Sequence, residues 1–227
     1  MTSRHHALPG FLLALLTLLA GCAGKPPPPD WKLHAQASLA AYQRFELGGE
    51  RILAEREFAR AQAAIARSAR LDLAARAELV RCATRVASLE FDDCPDYQKL
   101  ARHAGTEERA YARFLAGDWT GIDTRQLPAH HARLVAAAGA PDRAGTALAA
   151  LREPEARLIA AAVLLRRAEL PPAGFALAVE TASEQGWRRP LRAWLEAQAR
   201  RAEAAGDTAA LAQLRARIDW IDRSAPR

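Results

Sequence analysis

The chain has 227 residues, with 32 Lys and Arg against 26 Asp and Glu for a formal charge of +6; half its residues are hydrophobic but only 6% are aromatic. That length can bury a sizeable core in one domain or two small lobes. The positive excess forms no block of five like charges and no basic stripe interleaved with aromatics, which excludes nucleic acid as a partner and leaves only a weak attraction to anionic lipid or peptidoglycan.

The N-terminus carries Arg4 ahead of an apolar run, 11–20, broken only by Thr17, and small residues then lead into Cys22. A basic region, an apolar core and a small-residue cleavage site make a secretory signal. The apolar run is about half the ~20 residues that a spanning helix needs. Leu19-Ala20-Gly21-Cys22 closely resembles the lipobox of bacterial lipoproteins. The resemblance implies cleavage after Gly21 and acyl chains on Cys22. Ala23, where that family's sorting rule reads Asp as inner-membrane retention, implies the inner leaflet of the outer membrane, facing the periplasm. One acyl chain binds a bilayer only marginally, whereas the two or three of a lipoprotein make attachment durable without a transmembrane helix. Residues 22–30 include four consecutive prolines and read as an extended tether, about 28 Å long at ~3.1 Å per residue. Removal of 1–21 takes away Arg4 and no acid, leaving 31 cationic residues against 26 acidic ones.

The rest reads as helices punctuated by Gly and Pro, with no period-2 run of β-branched residues and no Asn anywhere. The first helix spans 31–47 and stops at Gly48-Gly49. The second, 50–68, places Ile52, Leu53, Phe58, Ala61 and Ile65 on one inward face. Asp72 can cap a third, 73–89, with Leu79, Val80, Ala83 and Val86 inward. Pro95 opens a short helix ending at Gly105. Thr106-Glu107-Glu108 starts another that stops at Gly117. The segment 118–127 follows without periodicity, a joint between an N-terminal lobe, 31–117, and a C-terminal lobe, 128–227. Pro128 opens a helix ending near Gly139, and further helices are expected at 143–151, 155–168, 173–185, 190–205 and 208–221. The wholly apolar stretch 158–165 predicts a helix buried on all sides. About ten or eleven helices with short connections predict an all-α array of antiparallel hairpins.

Around Gly49, small Ala54, bulky Phe58 and small Ala61 follow at offsets of 5, 9 and 12, and Phe45 precedes the turn by four. This pattern resembles a tetratricopeptide repeat, in which small residues let two helices approach while an aromatic fills the groove. Ser38 stands where the family's first Trp belongs, and the closing Pro is missing. A fainter echo at Leu195, Ala199, Gly206, Leu211 and Ile218 has Arg215 in place of a bulky apolar residue. The middle of the chain keeps no 34-residue register, so a degenerate solenoid and a generic helical bundle both stand.

Several constellations could carry chemistry. With Cys22 lipidated in an oxidising compartment, Cys82 and Cys94 most simply pair as a disulfide, since the turn 91–95 brings the chain back toward the preceding helix. A metal held by the two cysteines and His103 lacks the spacing of a closed site. His130 and His131, adjacent on a helix, point about 100° apart and read as a solvated pair; His34 is a lone histidine. Asp92, Asp93 and Asp96 read as caps for the helix at Pro95. Among the five tryptophans, Trp194 and Trp220 have the spacing of core residues, while Trp31 and Trp119 are candidate partner anchors. No phosphate-binding glycine loop, no His-Glu-x-x-His and no Ser-His-Asp arrangement occurs, so neither an enzyme nor a bound cofactor or metal is expected.

The leading functional expectation is a lipid-tethered helical scaffold or adaptor for an envelope protein. A cell-wall or small-ligand binding module is the alternative, and a cell-wall hydrolase the third. Each has a structural mark. An exposed apolar groove favours the first. Arginines lining a pocket favour the second, and a cleft holding a buried Glu with a raised pKa the third.

Overall fold

Most helix boundaries follow the glycines and prolines, the break at 67–70 being the exception. A computed structural model describes residues 27–224, so Cys22, the signal segment 1–21 and the start of the tether lie outside the described residues. Eleven α-helices and no strands occur among the described residues. The first two, α1 (Asp30–Gly48) and α2 (Arg51–Ala66), form a hairpin that turns at Gly49, whose φ of +83° is costly for any residue with a Cβ. Ala54 and Ala61 are fully buried, and Tyr42 of α1 sets its ring 5.1 Å from that of Phe58. The inward face of α2 does not reach back to its first turn. Ile52 is 78% exposed and Leu53 is also exposed, on a side of α2 that neither hydrophobic core cluster of the described residues reaches.

Helix α3 (Leu71–Val86) begins two residues earlier than the sequence predicts. Asp72 therefore sits inside the first turn, paired with Arg70, rather than capping from outside. A short helix α4 (Pro95–Leu100) runs into a 3₁₀ turn (Ala101–His103), and α5 (Thr106–Ala116) ends at Gly117, φ +76°. There the N–H groups of Gly117 and Asp118 donate to Phe114 and Arg113 carbonyls, closing the helix end. A second 3₁₀ turn (Thr124–Gln126) leads to α6 (Ala129–Ala136), α7 (Pro141–Ala149), α8 (Pro154–Arg166), α9 (Pro172–Glu184), α10 (Arg188–Ala204) and α11 (Thr208–Arg223).

Helices mostly pack in sequence order, α8 being the departure. Its residues from Leu158 to Leu164 are all buried, as the apolar run predicts, and it is surrounded by α3, α5, α6, α7 and α9. Residues 31–224 belong to one compact unit, and its larger hydrophobic core runs from Leu47 through Trp119 and Leu127 to Ala197. The segment 118–127 is thus no joint between lobes. Trp119 and Leu127 plug it into the shared core, and the Trp119 indole N–H donates to the Phe114 carbonyl at 3.2 Å. Trp194 is likewise fully buried, donating to the Ala87 carbonyl at 3.1 Å. Trp220 is not a core residue. α11 closes the array and buries no residue fully, so Trp220 on its outer side stays 68% exposed.

Cys82 of α3 and Cys94 form a disulfide with Cα atoms 5.5 Å apart. The turn before Cys94 is tied down independently. Asp92 accepts the Cys94 N–H and pairs with Arg85 at 2.6 Å, while Asp93 pairs with Arg166 at 2.6 Å. Asp92 and Asp93 are therefore not caps of α4, and Asp96, inside its first turn, pairs with Lys99.

Candidate functional site: a groove beside α3 and α8

Along α3, Arg76, Val80, Ala83 and Thr84 fall at the three- and four-residue spacings that align side chains on one helix face, exposed at Arg76 and buried by Thr84. Tyr111 of α5, Pro128 at the mouth of α6 and the first turn of α8 stand opposite. Between them run two adjoining cavities, about 360 and 440 Å³, sharing Val80, Tyr111 and Pro128 as walls. The larger also touches Gln43 of α1, His130 and His131 of α6, and Trp187 at the start of α10. Most of the lining is apolar; at one end Arg76 pairs with Glu108 at 2.5 Å and Glu107 at 3.5 Å beside Arg125, and Glu153 stands at the other.

At the other end lies Glu155. Its Oε2 accepts from the Gln43 amide at 2.8 Å, and its Oε1 lies 2.8 Å from the Thr84 hydroxyl. No ion-pair partner for it occurs among the described residues. Burial raises its pKa above the ordinary carboxylate value, and the two hydrogen bonds only partly offset this. Thr84 reports the same balance. Its hydroxyl also lies 3.0 Å from the Val80 carbonyl, yet it has one proton. Both contacts are satisfied when Glu155 is protonated and donates to Thr84, which then donates to Val80. Once Glu155 ionises, the Thr84 proton must turn to it.

His131 is not the solvated residue the sequence suggests. It is fully buried with its ring 4.4 Å from that of Phe114, and burial pushes its pKa down to about 3, so it is neutral. Its Nδ1 has no hydrogen-bond partner among the described residues. His130 is half-buried and its pKa is lowered too, mainly by burial, while burial pushes the Tyr111 hydroxyl well up.

The expected site residues are scattered. Trp31 is half-buried at the start of α1. Trp119 is in the core beneath Arg167, so its ring offers no free face to a partner. Cys82 and Cys94 have the Asp92 carboxylate beside them, within 4.8 Å, but their sulfurs are joined and offer no thiolate to a metal. The residues missed by sequence reasoning are Gln43, Thr84 and Glu155, which lie up to 112 positions apart. In one dimension Glu155 is an ordinary first-turn acid after a proline, and only packing gives it partners.

The chain matches no protein-family model, no curated protein and no solved structure.

Proposed function

We propose that the protein is a lipid-anchored, periplasm-facing scaffold or adaptor whose groove receives a segment of an envelope protein. Export with cleavage after Gly21 and acylation of Cys22 would tether it to the inner leaflet of the outer membrane. The hairpin array would then work as a degenerate tetratricopeptide-like support, without catalysis. The Cys82–Cys94 disulfide suits such an oxidising compartment.

The observation that carries the reading is the groove itself: largely apolar walls and a half-buried carboxyl, Glu155, that has two hydrogen-bonding neighbours and no cation paired to it among the described residues. A partner segment with an apolar stretch and one Lys or Arg supplies the missing charge. The test places a photo-crosslinking residue at Val80 and, as control, at exposed Ala209. A discrete envelope-protein adduct from Val80 alone, weakened by Glu155→Leu, supports the groove. Identical adducts from both positions, or none from Val80, refute it. Separately, Cys22→Ser releases the protein from membranes, and a variant that still sediments with them removes the lipid anchor.

Glu155 also favours a second reading, a cell-wall hydrolase using it as a general acid. Clearing of a peptidoglycan suspension by the protein, abolished in Glu155→Gln, would replace the adaptor reading.

A further inference from the structure

A third cavity, about 540 Å³, opens where the α1–α2 turn meets the start of α10 and the end of α11. Four guanidinium groups line it: Arg51 at the first position of α2, Arg188 and Arg189 at the first two of α10, and Arg192 one turn further. A single carboxylate, Asp222, faces them.

Ion pairing accounts for two of the four. Arg189 is held by Glu46 and Glu90, each at 2.5 Å, and Arg192 by Asp222 and Glu196, each at 2.7 Å. Arg51 and Arg188 have neither a hydrogen-bond nor an ion-pair partner among the described residues. Arg188 is half-buried against the α1–α2 turn, where a Cβ on Gly49 would come within 3.7 Å of its Nη2. Both α2 and α10 start here without a side-chain cap hydrogen bond and without an acidic residue in the first turn, so their positive dipole ends face the pocket, and Glu50 at the N-cap of α2 is the one acid at either helix start. Arg51 and Arg188 line the same pocket with no carboxylate paired to either, and an oxyanion between the two forks supplies that pairing. Tetrahedral phosphate, with several acceptor oxygens and up to two charges, matches two guanidinium forks better than one carboxylate does.

We propose that this pocket binds a phosphate group, with Arg51 and Arg188 gripping its oxygens. The site is separate from the α3–α8 groove and does not depend on the adaptor reading. The phosphate can belong to a soluble phosphorylated compound or to a phospholipid headgroup. Exposed Ile52 and Trp220, chain neighbours of the lining residues Arg51 and Ile221, would suit the second source.

Isothermal titration of the full chain with inorganic phosphate should show one saturable site. Arg51→Ala and Arg188→Ala should each weaken it about tenfold, the effect of losing one charged hydrogen bond. Because neither arginine is in an ion pair, both variants should melt like the parent. Arg67→Ala, which removes the same charge at the far end of α2, should leave affinity unchanged. Glycerol phosphate and a short-chain, water-soluble phosphatidylglycerol then separate the sources: tighter binding of the lipid assigns a headgroup, and tighter binding of the headgroup fragment a soluble ligand. Absence of saturable phosphate binding, or equal weakening in all three variants, overturns the proposal.

Discussion

Breaking the Cys82–Cys94 bridge should cost the fold about 3 kcal/mol. The bridge closes a loop with a sequence separation of 12. In the chain-entropy model a loop of that length restricts the unfolded chain by about 3 kcal/mol at room temperature. The native side of the balance should change little, because the turn keeps its other tethers. Arg85 still holds Asp92, Arg166 still holds Asp93, and Asp92 still accepts the Cys94 N–H. These restraints matter because Asp93 and Cys94 both adopt left-handed backbone, with φ of +57° and +54°. A non-glycine residue there costs about 1 kcal/mol and would unwind if nothing else pinned it. For a unit of this size each kcal/mol shifts the melting midpoint by about 2–4 °C. The double variant Cys82→Ala/Cys94→Ala, followed by circular dichroism, should therefore melt about 6–12 °C lower with native helix content at 25 °C. Reducing agent should lower the parent's midpoint by the same amount and leave the variant's unchanged. A shift below about 2 °C would refute the entropic argument. Lost helix content at 25 °C would show instead that the bridge holds the native turn.

Two further outcomes follow from buried titratable groups. Glu155 has a raised folded-state pKa, so the folded protein keeps a proton that the unfolded chain gives up from about pH 4.5 upward, and the wild type loses stability as pH rises through that window. Glu155→Gln lacks this loss. Its urea midpoint relative to wild type should rise between pH 4.5 and pH 8, and a difference independent of pH would show that Glu155 ionises freely. His131 acts on the acid side. Its pKa is pushed down to about 3, so below pH 6.5 the unfolded chain takes up a proton that the folded protein refuses, and stability drains away as pH falls. At pH 4.5 this amounts to about 2–3 kcal/mol. His131→Leu should flatten that limb of the stability profile and remove a buried Nδ1 without a partner; an unchanged acid limb would mean that His131 reaches water.

Much of the array was legible because helix ends are written locally. Gly49, Gly117 and Gly206 mark helix ends through left-handed backbone that other residues resist, and Thr106-Glu107-Glu108 marks a start. The apolar stretch in α8 announced its own burial, since no face of it is polar enough to meet water. Depth was not legible wherever it depends on a neighbour distant in sequence. Ile52 and Trp220 have helical spacing indistinguishable from that of core residues, yet each lies on a face that no other element covers. His131 is the reverse, a polar residue drawn inside because Phe114 and Tyr111 of α5 pack against α6.

The sequence by itself determined the helical class, most of the breaks between helices and the pairing of Cys82 with Cys94, because propensity, caps and one short loop act over a few residues. Only the tertiary structure decided that 118–127 joins one core rather than dividing two. It alone brought Gln43, Thr84 and Glu155 together, and set Arg51 and Arg188 around one pocket. Those juxtapositions depend on how α8 and α10 fold back onto α1 to α3, where the summed burial of many small contacts, and no local signal, selects the neighbours.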